Sequence, residues 1–289
     1  MGTSDGKVLG STKIVDSGPA KDRWNVAIVS EGYRDIEMAQ FATDAQQFAD
    51  ALLTAAPFDR LRSAINIYRV DVTSTDSGAK DPKKCGGTGA KPRTYFDASF
   101  CTDGIRRLLL GNNGRVLKVV SKQVPQWHAA FLAVNSPLSG GSGGAVATFS
   151  KAIRTVEIAI HEIGHTAFGL ADEYEYYTGC AERGQNKHSG SEPSQPNITT
   201  NKNRATTKWR DLIQPSTPVP TTKNANCANC DPQPSPVAVG TIGLFEGADY
   251  YHCGVYRPEF DCRMRNLDRP FCGVCQRVIV KKLTPFLPR

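Results

Sequence analysis

His161-Glu162-Ile-Gly-His165 sets two imidazoles four residues apart, with a carboxylate directly after the first. On an α-helix that spacing brings both rings to one face, where they can share a single metal ion, and zinc suits such a donor set. Glu162 then lies beside the ion without ligating it, placed to take a proton from a water activated there. The motif is short, so its surroundings matter. Apolar Val156-Glu-Ile-Ala-Ile160 leads into it as helix, Gly164 leaves room against the helix, and Gly169 can end the helix and turn the chain back. Read as plain core or capping histidines, the pair leaves a Glu on a mostly apolar helix without a reason.

The elements that must carry this helix are legible upstream. Trp24-Asn-Val-Ala-Ile-Val29 is an apolar run ending at the turn-like Ser30-Glu-Gly-Tyr33. After Asp35, a candidate N-cap, Met38, Phe41, Ala45, Phe48 and Leu52 recur at three- and four-residue spacing and predict a helix with one packed face. Ile65 to Val72 alternates with period two and reads as a strand, followed by a polar loop from about Ser74 to Thr94. Arg106-Arg-Leu-Leu-Leu110 reads as a third strand, Val116 to Val124 as a short helix, and Ala129 to Val134 as a further apolar strand. Gly140 to Gly144 marks a turn or flexible hairpin tip, and no Gly-Lys-Ser/Thr ending makes it a phosphate loop. Ala145 to Ser150 follows as an edge strand just before the metal helix. Strands alternating with helices imply a mainly parallel sheet covered on both faces.

Composition narrows the class. The chain has 289 residues, enough for one large core or two modest ones, and its 39% hydrophobic content is ordinary for a globular protein. No apolar run approaches bilayer length, so no membrane partner is expected. The first fifteen residues are polar, without a signal core, which fits a trimmed mature form, an expressed fragment or an intracellular protein. The net charge of +7 comes from scattered basic residues, the densest cluster being Lys80 to Lys84. With no groove-like stripe, a solvated surface explains that charge better than nucleic-acid binding.

Nine cysteines are many for a cytosolic enzyme, and seven of them lie from Cys180 onward. From about Thr178 to Pro236 the chain is crowded with Pro, Ser, Thr and Asn and shows little periodicity. A compact core there calls for cross-links, and disulfides in an oxidising compartment are the first reading. The rival reading gathers Cys227-x-x-Cys230 and Cys272-x-x-Cys275 as four thiolates of a structural zinc. Beyond Gly240 apolar and aromatic residues return, ending in a helix from Gln276 to Leu283.

With these pieces in place the chain resembles the immunoglobulin-A peptidase family of zinc metallo-endopeptidases. The likeness is carried by Ile28-Val-Ser-Glu-Gly-Tyr33 with its helix, by Val134-Asn-Ser-Pro with the Gly140 to Gly144 run, and by His161 to Tyr174. Leu244-Phe-Glu-Gly-Ala-Asp-Tyr-Tyr251 through Cys275 extends it over nearly the whole chain. The resemblance implies a secreted bacterial endopeptidase of the zincin type, without implying immunoglobulin A as substrate. The wider metzincin group it resembles has a methionine turn beneath the zinc, and Met264 in Asp261-Cys-Arg-Met-Arg265 fits that place.

This chain departs from the metzincin pattern at the third ligand. Phe168 and Ala171 stand where that pattern has its Gly and its ligand, while Gly169 and Asp172 come one residue later. On a continued helix Asp172 would lie roughly 10 Å along the axis from His165, so ligation requires a break at Gly169. Asp172 is the first choice, Glu173 the main competitor and His252 the third. Alternatively Asp172 orients a ligand histidine. Tyr174 either packs or donates to the developing oxyanion, with Tyr251 and Tyr256 competing for that role.

The expectation is therefore an α/β zincin-type fold, with a mostly parallel sheet, an antiparallel edge strand and the active-site helix. Residues 1–175 form its N-terminal subdomain and 176–289 a loop-rich, Cys-containing C-terminal subdomain. The expected function is zinc-dependent endopeptidase, with Glu162 and Tyr174 catalytic, and His161, His165 and Asp172 on the metal. It acts on a protein or peptide substrate as an extracellular monomer. Two other classes stay open: an idle zincin-like adhesion or carbohydrate-binding module, against which an intact Glu162 argues, and a zinc-ribbon nucleic-acid binder.

Overall fold

Trp24–Glu31 (β2) is buried along its whole length, as a strand must be when its sheet is covered on both faces. In the computed structural model, which describes residues 5–152, 155–175, 186–228 and 234–288, β2 runs parallel to Ile65–Val72 (β3) on one side and Trp127–Val134 (β4) on the other. Ala147–Ser150 (β6) continues the parallel series on β4. Antiparallel strands close both margins: Val8–Val15 (β1) on β3, and the two-residue Gly141–Ser142 (β5) on β6. The sheet order is β1-β3-β2-β4-β6-β5.

Side-chain alternation divides the core between the two faces. Ala27, Val29, Val70, Ala130 and Leu132 pack with Val116 and Val120 of Asn113–Gln123 (α2) and with Phe96 and Phe100. On the other face Phe48 of Met38–Thr54 (α1) meets Phe131 of β4 at 4.7 Å and Phe149 of β6 at 5.1 Å between ring centroids. Of the expected α1 stripe, Phe41, Ala45, Phe48 and Leu52 are buried, with Ala49 added, while Met38 at the helix start is half-buried.

Three expectations change. β1 goes unread in the sequence because its apolar residues sit in adjacent pairs at its two ends, Val8-Leu9 and Ile14-Val15, with no alternation between them, as a margin strand with no buried residue allows. Ala147–Ser150 is interior to the sheet, and the antiparallel edge is Gly141–Ser142 instead. Arg106 to Leu110 forms no continuous strand. Its donors are spent locally and singly, Leu108 N–H on Ile105, Leu110 N–H on Ser99 and Leu109 N–H on Gly141. The Cys85–Cys101 disulfide and left-handed Cys101 and Asp103 tie the same loop.

The chain divides into two compact units, 1–167 with 283–289, and 168–282. The composition change anticipated near residue 175 adjoins 176–185, outside the described residues. The second unit carries the hairpin Phe245–Ala248 (β7) and Tyr251–Arg257 (β8), and the helix Gly273–Leu283 (α4). Its Pro- and Asn-rich stretch nevertheless buries Ile198 and Trp209 completely, with Trp209 Nε1–H donating to the Gly243 carbonyl at 2.8 Å. Among the described residues no helix is long and apolar enough to cross a membrane.

Glu31, at the end of β2, is fully buried and organises the loop from Thr94 to Ala98. Its carboxylate accepts the Thr94 hydroxyl at 2.6 Å, Phe96 N–H at 2.9 Å and Ala98 N–H at 2.9 Å. Burial pushes the Glu31 carboxyl above its ordinary value, and the three hydrogen bonds pull partly against that. The folded state therefore holds the proton more tightly than the unfolded state, and this contribution declines as pH rises from the ordinary carboxylate value through the raised one. Glu31→Ala should lower the unfolding free energy by about 2 kcal/mol or more, because buried donors lose their acceptor. It should also remove that pH slope. Urea melts of both proteins across the acid-to-neutral range measure both effects.

Candidate functional site

Thr155–Phe168 (α3) packs Ala159, Ile160, Ile163 and Ala167 as a buried face at helical spacing. His161 is also buried, and Glu162 and His165 are half-buried. The two rings meet edge-on, with centroids 4.8 Å apart, and their Nε2 atoms lie 3.1 Å from each other. Two nitrogens each about 2.0–2.1 Å from one tetrahedral zinc lie about 3.3 Å apart, so the pair already has the separation an ion would impose.

Gly169 ends α3 with φ +64°, a left-handed residue with nothing within 4 Å of where a Cβ would stand. Beyond it the chain is held by Asn197, which gives its carbonyl to Ala171 N–H at 2.8 Å and its amide to the Ala171 carbonyl at 2.9 Å. Along this continuous stretch His161, His165 and Asp172 each offer one ligand atom, all within 4.8 Å of one another. A carboxylate and two imidazoles are a donor set that zinc accepts.

Asp172 is itself oriented. Its Oδ2 accepts the Tyr250 hydroxyl, and its carbonyl accepts Asp249 N–H at 3.0 Å. Tyr250 N–H donates to the Tyr174 carbonyl at 3.0 Å, and the two tyrosine rings meet at 5.2 Å. Asp249 and Tyr250 are the two-residue tip of the β7–β8 hairpin, with φ of 52° and 66°. Two left-handed residues are what the twist of a tight hairpin asks for, but a tyrosine there is uncommon and stores strain.

The other candidates lie elsewhere. Glu173 turns away from the histidines: its Oε1 accepts Asn197 Nδ2–H at 2.9 Å and lies 3.4 Å from Cys275 Sγ. Its N–H donates to the Met264 carbonyl at 2.8 Å, which ties the backbone at Met264 to this segment. His252 Nδ1 lies 3.3 Å from Asn224 Nδ2, and His252 joins no metal-binding group among the described residues. Tyr251 packs its ring on His188 at 5.0 Å, and the Tyr256 hydroxyl is taken by Glu246 at 3.2 Å. The four-thiolate reading fails at Cys227, which is disulfide-bonded to Cys253. Cys180 and Cys230 lie outside the described residues.

Sequence reading missed Tyr250 and Asn197. For Tyr250 the available signal was the Ala248-Asp-Tyr-Tyr251 run as a hairpin tip. Asn197 sits in a stretch whose composition reads as loop, with no periodic signal.

Glu162 faces the edge strand of its own unit. A Cβ on Gly143 would stand 2.9 Å from Glu162 Oε2 and 2.9 Å from His165 Cβ, and one on Gly141 would stand 3.7 Å from Glu162 Oε1. The glycines that read as a flexible tip are thus required by close approach.

Gly169→Ala isolates the backbone cost of the turn, because the added methyl meets nothing. The substitution should destabilise the protein by about 1–2 kcal/mol, the price of a left-handed conformation for a residue with a Cβ. A chemical melt reads it directly, and an unchanged midpoint would show that the turn is not strained by a side chain.

A family model described as IgA Peptidase M64 matches residues 12–233 and 223–283. No curated protein gives a match to the chain. The matched segments contain the helix with His161, Glu162 and His165, the reversal to Asp172, the hairpin tip and the buried cysteines near Met264. On that coverage the chain belongs to the IgA peptidase M64 family and is a peptidase.

Proposed function

We propose that this chain is a zinc-dependent endopeptidase, with His161, His165 and Asp172 holding the ion and Glu162 moving protons. The observation that carries this reading is the 3.1 Å approach of the two Nε2 atoms with the Asp172 carboxylate beside them. When bound, zinc would supply a Lewis acid for the scissile carbonyl and acidify a water next to it. Glu162 is the base that takes the proton from that water and later returns it to the leaving amine. Tyr250 donates to Asp172 Oδ2 and so orients that carboxylate. Tyr174 is assigned to the developing oxyanion.

The substrate is an extended peptide added to the β5 edge, where main-chain hydrogen bonds give affinity without strict sequence demands. Gly141 is already covered on its outer side, its N–H donating to Arg107 at 3.2 Å and its carbonyl accepting Leu109 N–H at 3.4 Å. Strand addition therefore starts beyond it, at the Gly143 position facing Glu162. Two disulfides support an oxidising, extracellular setting.

Glu162→Ala should leave zinc content and fold as in the parent and lower kcat on a peptide library by at least about 10²–10⁴-fold. Peptide cleavage at the parental rate would refute the mechanism.

Tyr250→Phe keeps the ring and removes only the donor to Asp172. It should weaken zinc at the histidine site by about 10–100-fold, as loss of a group that orients a ligand does. Competition against a chelator measures this, and unaltered affinity would show that Asp172 needs no such support.

A further inference from the structure

Outside the histidine site, a second set of donors converges within the 168–282 unit. Glu173, Cys262 and Cys275 are fully buried and Cys272 is 3% exposed. Each offers one donor atom, all within 4.8 Å of one another. Cys262 Sγ and Cys275 Sγ are 3.8 Å apart, and Glu173 Oε1 lies 3.4 Å from Cys275 Sγ and 4.0 Å from Cys272 Sγ. Thiolates at about 2.3 Å and a carboxylate oxygen at about 2.0–2.2 Å from one tetrahedral zinc stand about 3.8 Å apart for two sulfurs and about 3.5 Å for sulfur and oxygen. The observed separations meet that geometry, whereas a disulfide needs sulfurs at about 2.05 Å.

We propose that Glu173, Cys262, Cys272 and Cys275 hold a structural zinc ion, separate from the histidine site. Three further observations bear on it. The first is an orphan: Glu173 Oε2 is buried and has no hydrogen-bond partner among the described residues. A buried carboxylate oxygen left bare is costly unless a cation is near. The neighbouring Arg257 is engaged elsewhere, by Glu175 and by the carbonyls of Glu246, Gly247 and Phe260.

The second is the backbone around the sulfurs. Cys272 N–H donates to Cys262 Sγ at 3.2 Å, and Cys275 N–H donates to Cys272 Sγ at 3.4 Å. Donors aimed at sulfur, with Cys272 and Cys275 at the start of α4, favour the thiolate that a metal requires. The third is the contrast with the rest of the chain. Cys85–Cys101 and Cys227–Cys253 are oxidised, while three thiols packed together here are unpaired. A metal keeps such thiols from oxidising, and soft sulfur donors with one carboxylate in a closed, buried four-ligand set select zinc in a structural role. The ion would tie the turn at Cys262 to Met264, the start of α4 and Glu173 into one knot.

The test uses the whole chain and reads metal, not activity. The His161→Ala/His165→Ala double variant, purified without chelator, should retain about one zinc per chain. Its zinc-edge absorption spectrum should show three sulfurs at about 2.3 Å and one oxygen at about 2.0–2.2 Å. Cys272→Ser in the parental background should lose that sulfur signal. If either variant fails to fold, the spectrum of the parent decides, since it must then contain sulfur as well as nitrogen and oxygen scatterers. A parent whose zinc sees only nitrogen and oxygen, or a mass-mapped disulfide among Cys262, Cys272 and Cys275, would overturn the proposal. A double variant that keeps as much zinc as the parent, all of it sulfur-bound, would count against the histidine site and leave this one standing.

Discussion

The site depends on one geometric constraint: the residue that joins His161 and His165 must return to the helix that has just ended. An unbroken helix would carry Asp172 roughly 10 Å past His165. The left-handed Gly169 makes the return possible, and no residue with a Cβ adopts that backbone as readily. A turn alone does not hold a carboxylate in place, however. The five residues after Leu170 must also be fixed against thermal motion without a helix or sheet of their own.

The loop-rich unit supplies that fixation residue by residue. Ala171 is bracketed by Asn197, Asp172 by Tyr250 and Asp249, Glu173 by Met264, and Tyr174 by the Tyr250 amide. Glu175 ends the series between two guanidiniums, with its Oε1 3.3 Å from Arg257 Nη1 and 3.0 Å from Arg265 Nη2. Arg257 is itself buried, which lowers its pKa, and the Glu175 charge works against that loss. Breaking such a pair by removing one partner would leave an uncompensated buried charge. Long stretches with little secondary structure thus act as a mould for a short one.

How much of this the sequence discloses follows from the range of each interaction. The histidine pair, β3, the α1 stripe and α4 are local patterns with periods of two or near four, and they read directly. β1 is hidden because a margin strand needs no apolar alternation. Arg106 to Leu110 misleads because three consecutive leucines suggest a strand, while a disulfide and two left-handed residues spend its backbone donors in single bridges. Tyr250 and Asn197 act on residues 78 and 26 positions away, and no spacing rule reaches that far. The cysteines show the same limit: Cys272-x-x-Cys275 is visible as a pair, but its companions Cys262 and Glu173 are assigned only by the fold.

Asp172 and Glu173, neighbours in sequence, stand in different donor groups, Asp172 with His161 and His165, Glu173 with Cys262, Cys272 and Cys275. Two residues joined by one peptide bond thus serve two separate clusters. Their shared peptide unit is pinned on both flanks, by Asp249 N–H on the Asp172 carbonyl and by the Met264 carbonyl on the Glu173 N–H. A rotation that improved one carboxylate's reach would tilt the other out of its cluster.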